Sequence, residues 1–340
     1  MKVLYAIQGT GNGHISRARD IIPLLQNKCN LDVMISGTQA DITLPHPIKY
    51  KYKGLSFIFG KNGGVDLLNT YLKNNTKSFL KEINNFPIED YDLVINDFEP
   101  ITAWAAYLKN KECIALSHQS AVMCDKAPRP SNIDMMGLFI LKNYAPFTAK
   151  YGFHFSEYGD NIFTPVIREE IRSLKTRDDQ FYLVYLPSYE DARIIDILTQ
   201  IRNVKWKVFS KHNIYVQNIN NVSIAPIHNE KFVEALGACT GLLCGAGFEA
   251  PAEALYLQKK LMVIPMKSQY EQHCNAAALK QMGVPVIKSL KAKNIHQIQD
   301  WVNGKTLITV NYPDQTEGII DMILEKHGKL RTHYAAKRYA

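Results

Sequence analysis

Residues 243–277 read LCGAGFEAPAEALYLQKKLMVIPMKSQYEQHCNAA, and they decide the fold. An apolar run, GLLC, is broken by Gly245-Ala246-Gly247. Phe248 to Leu257 then carry helical spacing, LMVIP is a second short apolar run, and a polar loop with Glu271, Gln272 and Asn275 follows. Strand, glycine turn, helix and strand make one βαβ unit, and such units build parallel sheets covered by helices on both faces. The glycines let a ligand approach the backbone. The helix behind them can receive a phosphate on its free N–H groups, and Glu253, just past its first turn, can accept from both hydroxyls of a ribose.

The same rhythm runs outward in both directions. KVLYAIQ, SRARDIIPLLQ and LDVMISG read as strand, helix and strand, and so do DLVINDF, ITAWAAYLKN and CIALSHQ. A second cycle starts at residue 181 with FYLVYLP, YEDARIIDILTQI and WKVFS. Two cycles in 340 residues predict an α/β chain of two Rossmann-like domains, residues 1–160 and 181–320. A linker over 161–180 and a C-terminal helix with a basic tail over 321–340 complete it. The stretch KNGGVD (61–66) reads as loops that shape the cleft between the domains.

The first glycine turn is Gly9-Thr10-Gly11-Asn12-Gly13-His14. His14 stands where the dinucleotide fingerprint needs glycine, and the second strand ends in Ser36-Gly37-Thr38-Gln39 without a ribose-binding acid. No GK[ST] follows, which excludes a P-loop. What remains is an imidazole at the C-terminal end of a strand, placed to take a proton from a hydroxyl, with Gly11 and Gly13 as phosphate or acceptor contacts. Asn96-Asp97-Phe98-Glu99 ends a strand on the same sheet edge. Asp97 or Glu99 can orient and stabilise the imidazole; an acid at a strand end also serves simply to cap the next helix. His118 reads as an acceptor contact or as ordinary packing.

With 40 Lys and Arg against 32 Asp and Glu, the net charge is +8, which favours anionic partners. No RRM, zinc-finger or helix-turn-helix pattern supports nucleic acid. The six cysteines form no CxxC pair and no zinc spacing, which predicts reduced thiols, no metal and a cytoplasmic setting. No signal peptide and no apolar run of about 20 residues is present, so contact with a membrane would be peripheral, through a basic tail and an anionic surface. Phe57, Ile58, Phe59, Tyr71, Phe79 and MMGLFILKNYAPF (from Met135) read as core packing or as an apolar, lipid-facing acceptor wall.

The order Gly247, Glu253, Pro265, Glu271-Gln272-x-x-Asn275 resembles the donor-binding motif of GT-B glycosyltransferases, which include UDP-sugar transferases and the lipid II GlcNAc transferase. GTGNGHISRA resembles that superfamily's N-terminal GxGGH loop, and Thr164-Pro165-Val166-Ile167-Arg168 its inter-domain stretch. The resemblance implies a GT-B fold with the active site in the inter-domain cleft. It implies transfer of a hexose-type sugar, UDP-linked, to an acceptor hydroxyl by metal-independent, inverting displacement, with no cofactor. Gly245, Ala246, Gly247, Phe248, Glu253, Glu271, Gln272, Asn275, Ser188 and Ile227 would bind donor, Arg168 would assist at the phosphates, and His14 would be the base. Phe248 and Glu249 depart from the small or hydroxyl residues often found after the turn. The alternatives are a UDP-GlcNAc 2-epimerase-like enzyme and a non-catalytic sugar-nucleotide binder.

Overall fold

The computed structural model describes residues 1–37, 44–54, 59–60, 64–65 and 76–328. The readings at Thr38, Gln39, Phe57, Ile58, Tyr71 and most of KNGGVD, the Phe59 side chain and the tail from residue 329 lie outside the described residues.

The first domain contains β1 (Lys2–Gln8), α1 (Asn12–Gln26), β2 (Asn30–Ser36), β3 (Tyr50–Tyr52), and a short hairpin of β4 (Phe59–Gly60) and β5 (Gly64–Val65). It continues with α2 (Thr76–Asn85), β6 (Leu93–Asp97), α3 (Pro100–Leu108), β7 (Cys113–Ser117), α4 (His118–Val122), α5 (Met135–Asn143), β8 (Ala149–Phe153) and β9 (Ile162–Phe163). The connection carries α6 (Glu169–Arg172). The second domain contains β10 (Phe181–Tyr185), α7 (Asp191–Leu198), β11 (Lys205–Ser210), β12 (Gln217–Ile219), β13 (Val222–Pro226), α8 (Asn229–Ala238) and β14 (Gly241–Gly245). It ends with α9 (Glu249–Tyr256), β15 (Lys260–Ile264), α10 (Tyr270–Gln281), α11 (Ile295–Asn303) and α12 (Thr316–Gly328).

The first sheet is parallel throughout, in the order β3-β2-β1-β6-β7-β8-β9. The second runs β12-β13-β11-β10-β14-β15, with only β12 antiparallel. Strand order reverses between β1 and β6 in one sheet and between β10 and β14 in the other. Ligands of open α/β sheets bind at such reversals, beyond the carboxyl ends of the strands. His14 follows β1 and Asp97 closes β6; Ser188 follows β10 and Gly245 closes β14.

Burial explains the elements. The interior of β1 is buried residue after residue, as a strand covered on both faces requires. Along α1, Ile15, Ala18, Ile22 and Leu25 repeat at helical spacing and are buried. One apolar core covers a face of each sheet and runs through Val166, Ile167 and Ile171 of the connection, and separate cores cover the two outer faces. The last helix starts at Thr316 and returns to the first domain. Ile319, Ile320 and Ile323 bury in the shared core, Lys28 pairs with Glu317 and Asp321 at 2.9 and 2.8 Å, and His327 meets Glu112 at 2.6 Å. The expected tail is thus, up to Gly328, a strap between domains.

Two readings change. Glu271, Gln272 and Asn275 lie on α10, not on a loop, because YEQHCNAAALKQ is rich in helix formers. The first sheet extends to Phe163, past the expected boundary at 160. Phe79 is half-buried against the outer core of the first domain rather than forming an acceptor wall. All six cysteines are free. No described helix is long and apolar enough to cross a membrane.

Candidate active site

The two reversals face each other across a cavity of about 210 Å³ bordered by His14, Arg17, Gln119, Phe248, Glu249 and Glu271. His14 sits in the first turn of α1 and Asp97 at the end of β6, and their side chains meet with Nδ1 2.8 Å from Oδ1. That contact places the ring proton on Nδ1 and leaves Nε2 as the lone-pair nitrogen, 3.3 Å from Gln119 Nε2. Burial works against the charged imidazole, but the Asp97 charge and hydrogen bond, with Glu249, outweigh it, and the His14 pKa rises. The side chain is 11% exposed, so a proton acceptor faces the cavity.

The backbone separates the two acids. Phe98 takes φ 58°, a left-handed conformation that bulky residues rarely adopt. Asp97 turns to His14. Glu99, fully buried, caps α3 instead: its carboxylate accepts from Ile101 N at 2.8 Å, Thr102 N at 2.7 Å, Thr102 Oγ1 at 2.6 Å and Ser36 Oγ at 2.7 Å. Every one of those bonds leads away from the imidazole, so Asp97, not Glu99, is its partner.

Arg17 lies three residues after His14 and therefore on the same face of α1. Its Nη2 donates to both Asp97 oxygens at 2.8 Å, and its Nη1 pairs with Glu249 of the second domain. Gln119 donates to Glu271 at 3.0 Å. Arg17 and Gln119 were legible only as members of SRARD and CIALSHQ; nothing in their spacing singled them out. His118 also borders the cavity, with both ring nitrogens engaged. It stacks on Phe248 with ring centroids 3.9 Å apart and interplanar angle 7°, and its nitrogens lie 2.8 Å from Phe153 O and 2.7 Å from Asn275 Oδ1. Asn275 donates onward to Ala246 O at 3.1 Å, so this chain of contacts fixes the glycine turn against the first domain.

On the donor side, a Cβ at Gly247 would meet nothing within 4 Å, which leaves open space above the turn. Gly11, at φ 91°, is equally open over the N-terminus of α1. Gln272 accepts from Met266 N at 2.9 Å and braces the loop after β15. Ser188 and Ile227 stand at the carboxyl ends of β10 and β13 on the same edge. Arg168 and Glu253 are joined to each other: Nε to Oε1 at 2.6 Å and Nη2 to Oε2 at 2.9 Å, both residues buried. A ribose and a phosphate would have to draw on a pair already engaged. Among the described residues no cluster of three or more His, Cys, Asp or Glu could hold a metal ion.

The profile of glycosyl transferase family 1 matches residues 1–304. The chain belongs to that family. Solved structures similar to this glycosyltransferase include MurG of Acinetobacter baumannii, at 13% identity over 95% of this chain and 99% of that one, TM-score 0.56. UGT89C1 of Arabidopsis thaliana complexed with UDP matches at 12% identity over 96% and 94%, TM-score 0.54. A UDP-N-acetylglucosamine 2-epimerase matches at 11% identity over 96% and 97%, TM-score 0.52. At such identities the likeness is one of fold: the two facing domains have the GT-B architecture, and the activity class rests on the family match. Among curated proteins none matches this sequence.

Behind the glycosyltransferase's site, His154 is fully buried, with Nδ1 accepting from Phe155 N at 2.8 Å and Nε2 without a partner. Burial and the neighbouring His118 hold its pKa well below 6.5. The unfolded chain therefore binds the extra proton first, and stability falls as pH drops below about 6.5, by up to ~1.4 kcal/mol per pH unit. Urea denaturation at pH 7 and 5 should show a smaller acid loss in His154→Phe than in the wild type; equal losses would clear His154 of this role.

Proposed function

We propose that this glycosyltransferase moves a hexose-type sugar from a UDP-linked donor to an acceptor hydroxyl in one inverting, metal-independent displacement. The supporting observation is that His14, with its lone-pair nitrogen, and the open backbone at Gly247 to Glu249 border a single cavity. Donor diphosphate would lie against the N-terminus of α9, with the ribose toward Glu253 and the sugar toward Glu271 and Gln272. The acceptor oxygen forms a bond to C1 as the bond from C1 to the diphosphate oxygen breaks. The acceptor proton passes to His14 Nε2, and the leaving electron pair stays on the diphosphate, held by backbone N–H groups and arginine. Attack from the opposite face inverts the anomeric centre.

The acceptor would rest on α5. Ile133, Met135, Met136 and Phe139 are exposed beside Gly137, Ile140 and Leu141, which line the cavity, so the mouth is apolar. This favours an acceptor with an apolar portion, on the cytoplasmic side of a membrane if that portion is a lipid.

One screen tests the reading. UDP, GDP and dTDP are compared by thermal shift with EDTA present, then UDP-sugars are incubated with polar and apolar acceptors. UDP should raise Tm, by mass action, more than the others, and transfer should favour apolar acceptors. No nucleotide response removes the donor assignment. Because Glu249 and Glu271 both border the cavity, a 2-epimerase reading is checked alongside: an isomerised sugar nucleotide from donor alone would replace transfer by epimerisation.

A further inference from the structure

Asp97 has two claimants. Its Oδ1 takes both His14 Nδ1 and Arg17 Nη2, at 2.8 Å each, and Arg17 also reaches Oδ2. All of this belongs to the first domain. The guanidinium's other end belongs to the second: Arg17 Nη1 pairs with Glu249, the first residue of α9. The arginine side chain is fully buried between the two carboxylates. Gly13 makes the approach possible, since a Cβ there would overlap the Glu249 carboxylate.

We propose that Arg17 is a positioning residue whose pairing with Glu249 across the cleft offsets the charge it places on Asp97, so that domain closure itself makes the imidazole a stronger base. With the cleft open, Glu249 withdraws and the whole charge of Arg17 turns on Asp97, its one remaining anion among the groups facing it. The Asp97 carboxylate is then neutralised by the guanidinium and pulls less on a His14 proton. With the cleft shut, Glu249 offsets the guanidinium and adds its own charge near the ring. The imidazole gains basicity only when the chamber is assembled, and by linkage a protonated His14 favours the closed state.

The other groups around His14 do not supply this coupling. Tyr5 beneath Asp97 is fully buried, and burial with the Asp97 charge holds its hydroxyl protonated. Gln119 is neutral. Glu271 reaches the ring only through Gln119, and His118 spends its nitrogens on Phe153 O and Asn275.

The inference rests on His14 as the base, and the test needs no sugar substrate. The His14 ring resonance, assigned by its loss in His14→Gln, is titrated by NMR in the wild type, Glu249→Gln and Gly13→Ala. Glu249→Gln keeps the shape and removes the charge. Gly13→Ala keeps every charge and wedges the carboxylate away. Both should move the His14 midpoint to lower pH, by about half a unit or more, the size expected for one charge lost several ångströms away. An unchanged midpoint in folded Glu249→Gln overturns the coupling. A fall in Glu249→Gln without one in Gly13→Ala overturns the link to closure. UDP calorimetry on the same samples separates the two readings: absent binding strikes the donor assignment and leaves the relay to be judged on the titration.

Discussion

Exchanging His14 for alanine is expected to lower kcat by about 10²- to 10⁴-fold, the range for a positioned general base, while UDP continues to raise Tm as in the wild type. The asymmetry follows from placement. His14 belongs to the first domain, and its contacts run to Asp97, Arg17 and Gln119. The backbone at Gly245 to Phe248 that would hold the diphosphate belongs to β14 and α9 of the second. Removing an imidazole from one wall leaves the opposite wall intact. The pH profile should change as well. The base is competent only when deprotonated, so the wild-type rate rises with pH through the His14 midpoint, which Asp97 and Glu249 place above the ordinary 6.5. In His14→Ala that limb disappears. Steady-state kinetics across pH, with UDP thermal shifts in parallel, read both outcomes. Near-wild-type turnover in the variant removes His14 from the base role; loss of UDP binding would move it to the donor side.

How far the sequence carried this picture depends on the kind of signal. The two βαβ cycles were plain because buried parallel strands are continuous apolar runs, and glycines mark where each strand gives way to a helix. Fold, the pairing of His14 with an acid on the next strand end, and the facing glycine turns all follow from that. The choice between Asp97 and Glu99 did not, because it hangs on the left-handed backbone at Phe98, which no local rule predicts for phenylalanine. Arg17 and Glu249 were invisible as partners: they are separated by 232 positions, and only the packing of α9 on α1 brings them together. Helix α10 stands where the sequence suggests a loop because the polar residues that face the cleft mask the alanines and leucine behind them. His118 illustrates the same limit. Its position at a strand end places it at the cavity, whereas its stacking on Phe248 depends on where the second domain packs.

The pair of Arg168 and Glu253 yields the largest expected change in stability. Two oxygens face two nitrogens, both residues are buried, and Arg168 also reaches Glu170 and Asn229. Burial pushes the Glu253 carboxyl up, and the Arg168 charge opposes it. Removing the guanidinium in Arg168→Met leaves a carboxylate buried without its cation, which costs about 3–5 kcal/mol, whereas replacing both partners by apolar residues returns most of that loss. The expected order by urea denaturation at pH 8 is wild type, then Arg168→Met with Glu253→Leu, then Arg168→Met alone. The sign with pH is fixed too. Without its cation, Glu253 keeps a raised pKa and folds best protonated, so the deficit of the single variant should shrink from pH 8 to pH 5. Nucleotide binding separates structure from function. If Glu253 serves a ribose and Arg168 a phosphate, the double variant should be folded yet gain no Tm from UDP. A double variant that responds to UDP like the wild type would make the pair purely structural and shift donor recognition to the glycine turn and the residues of α10.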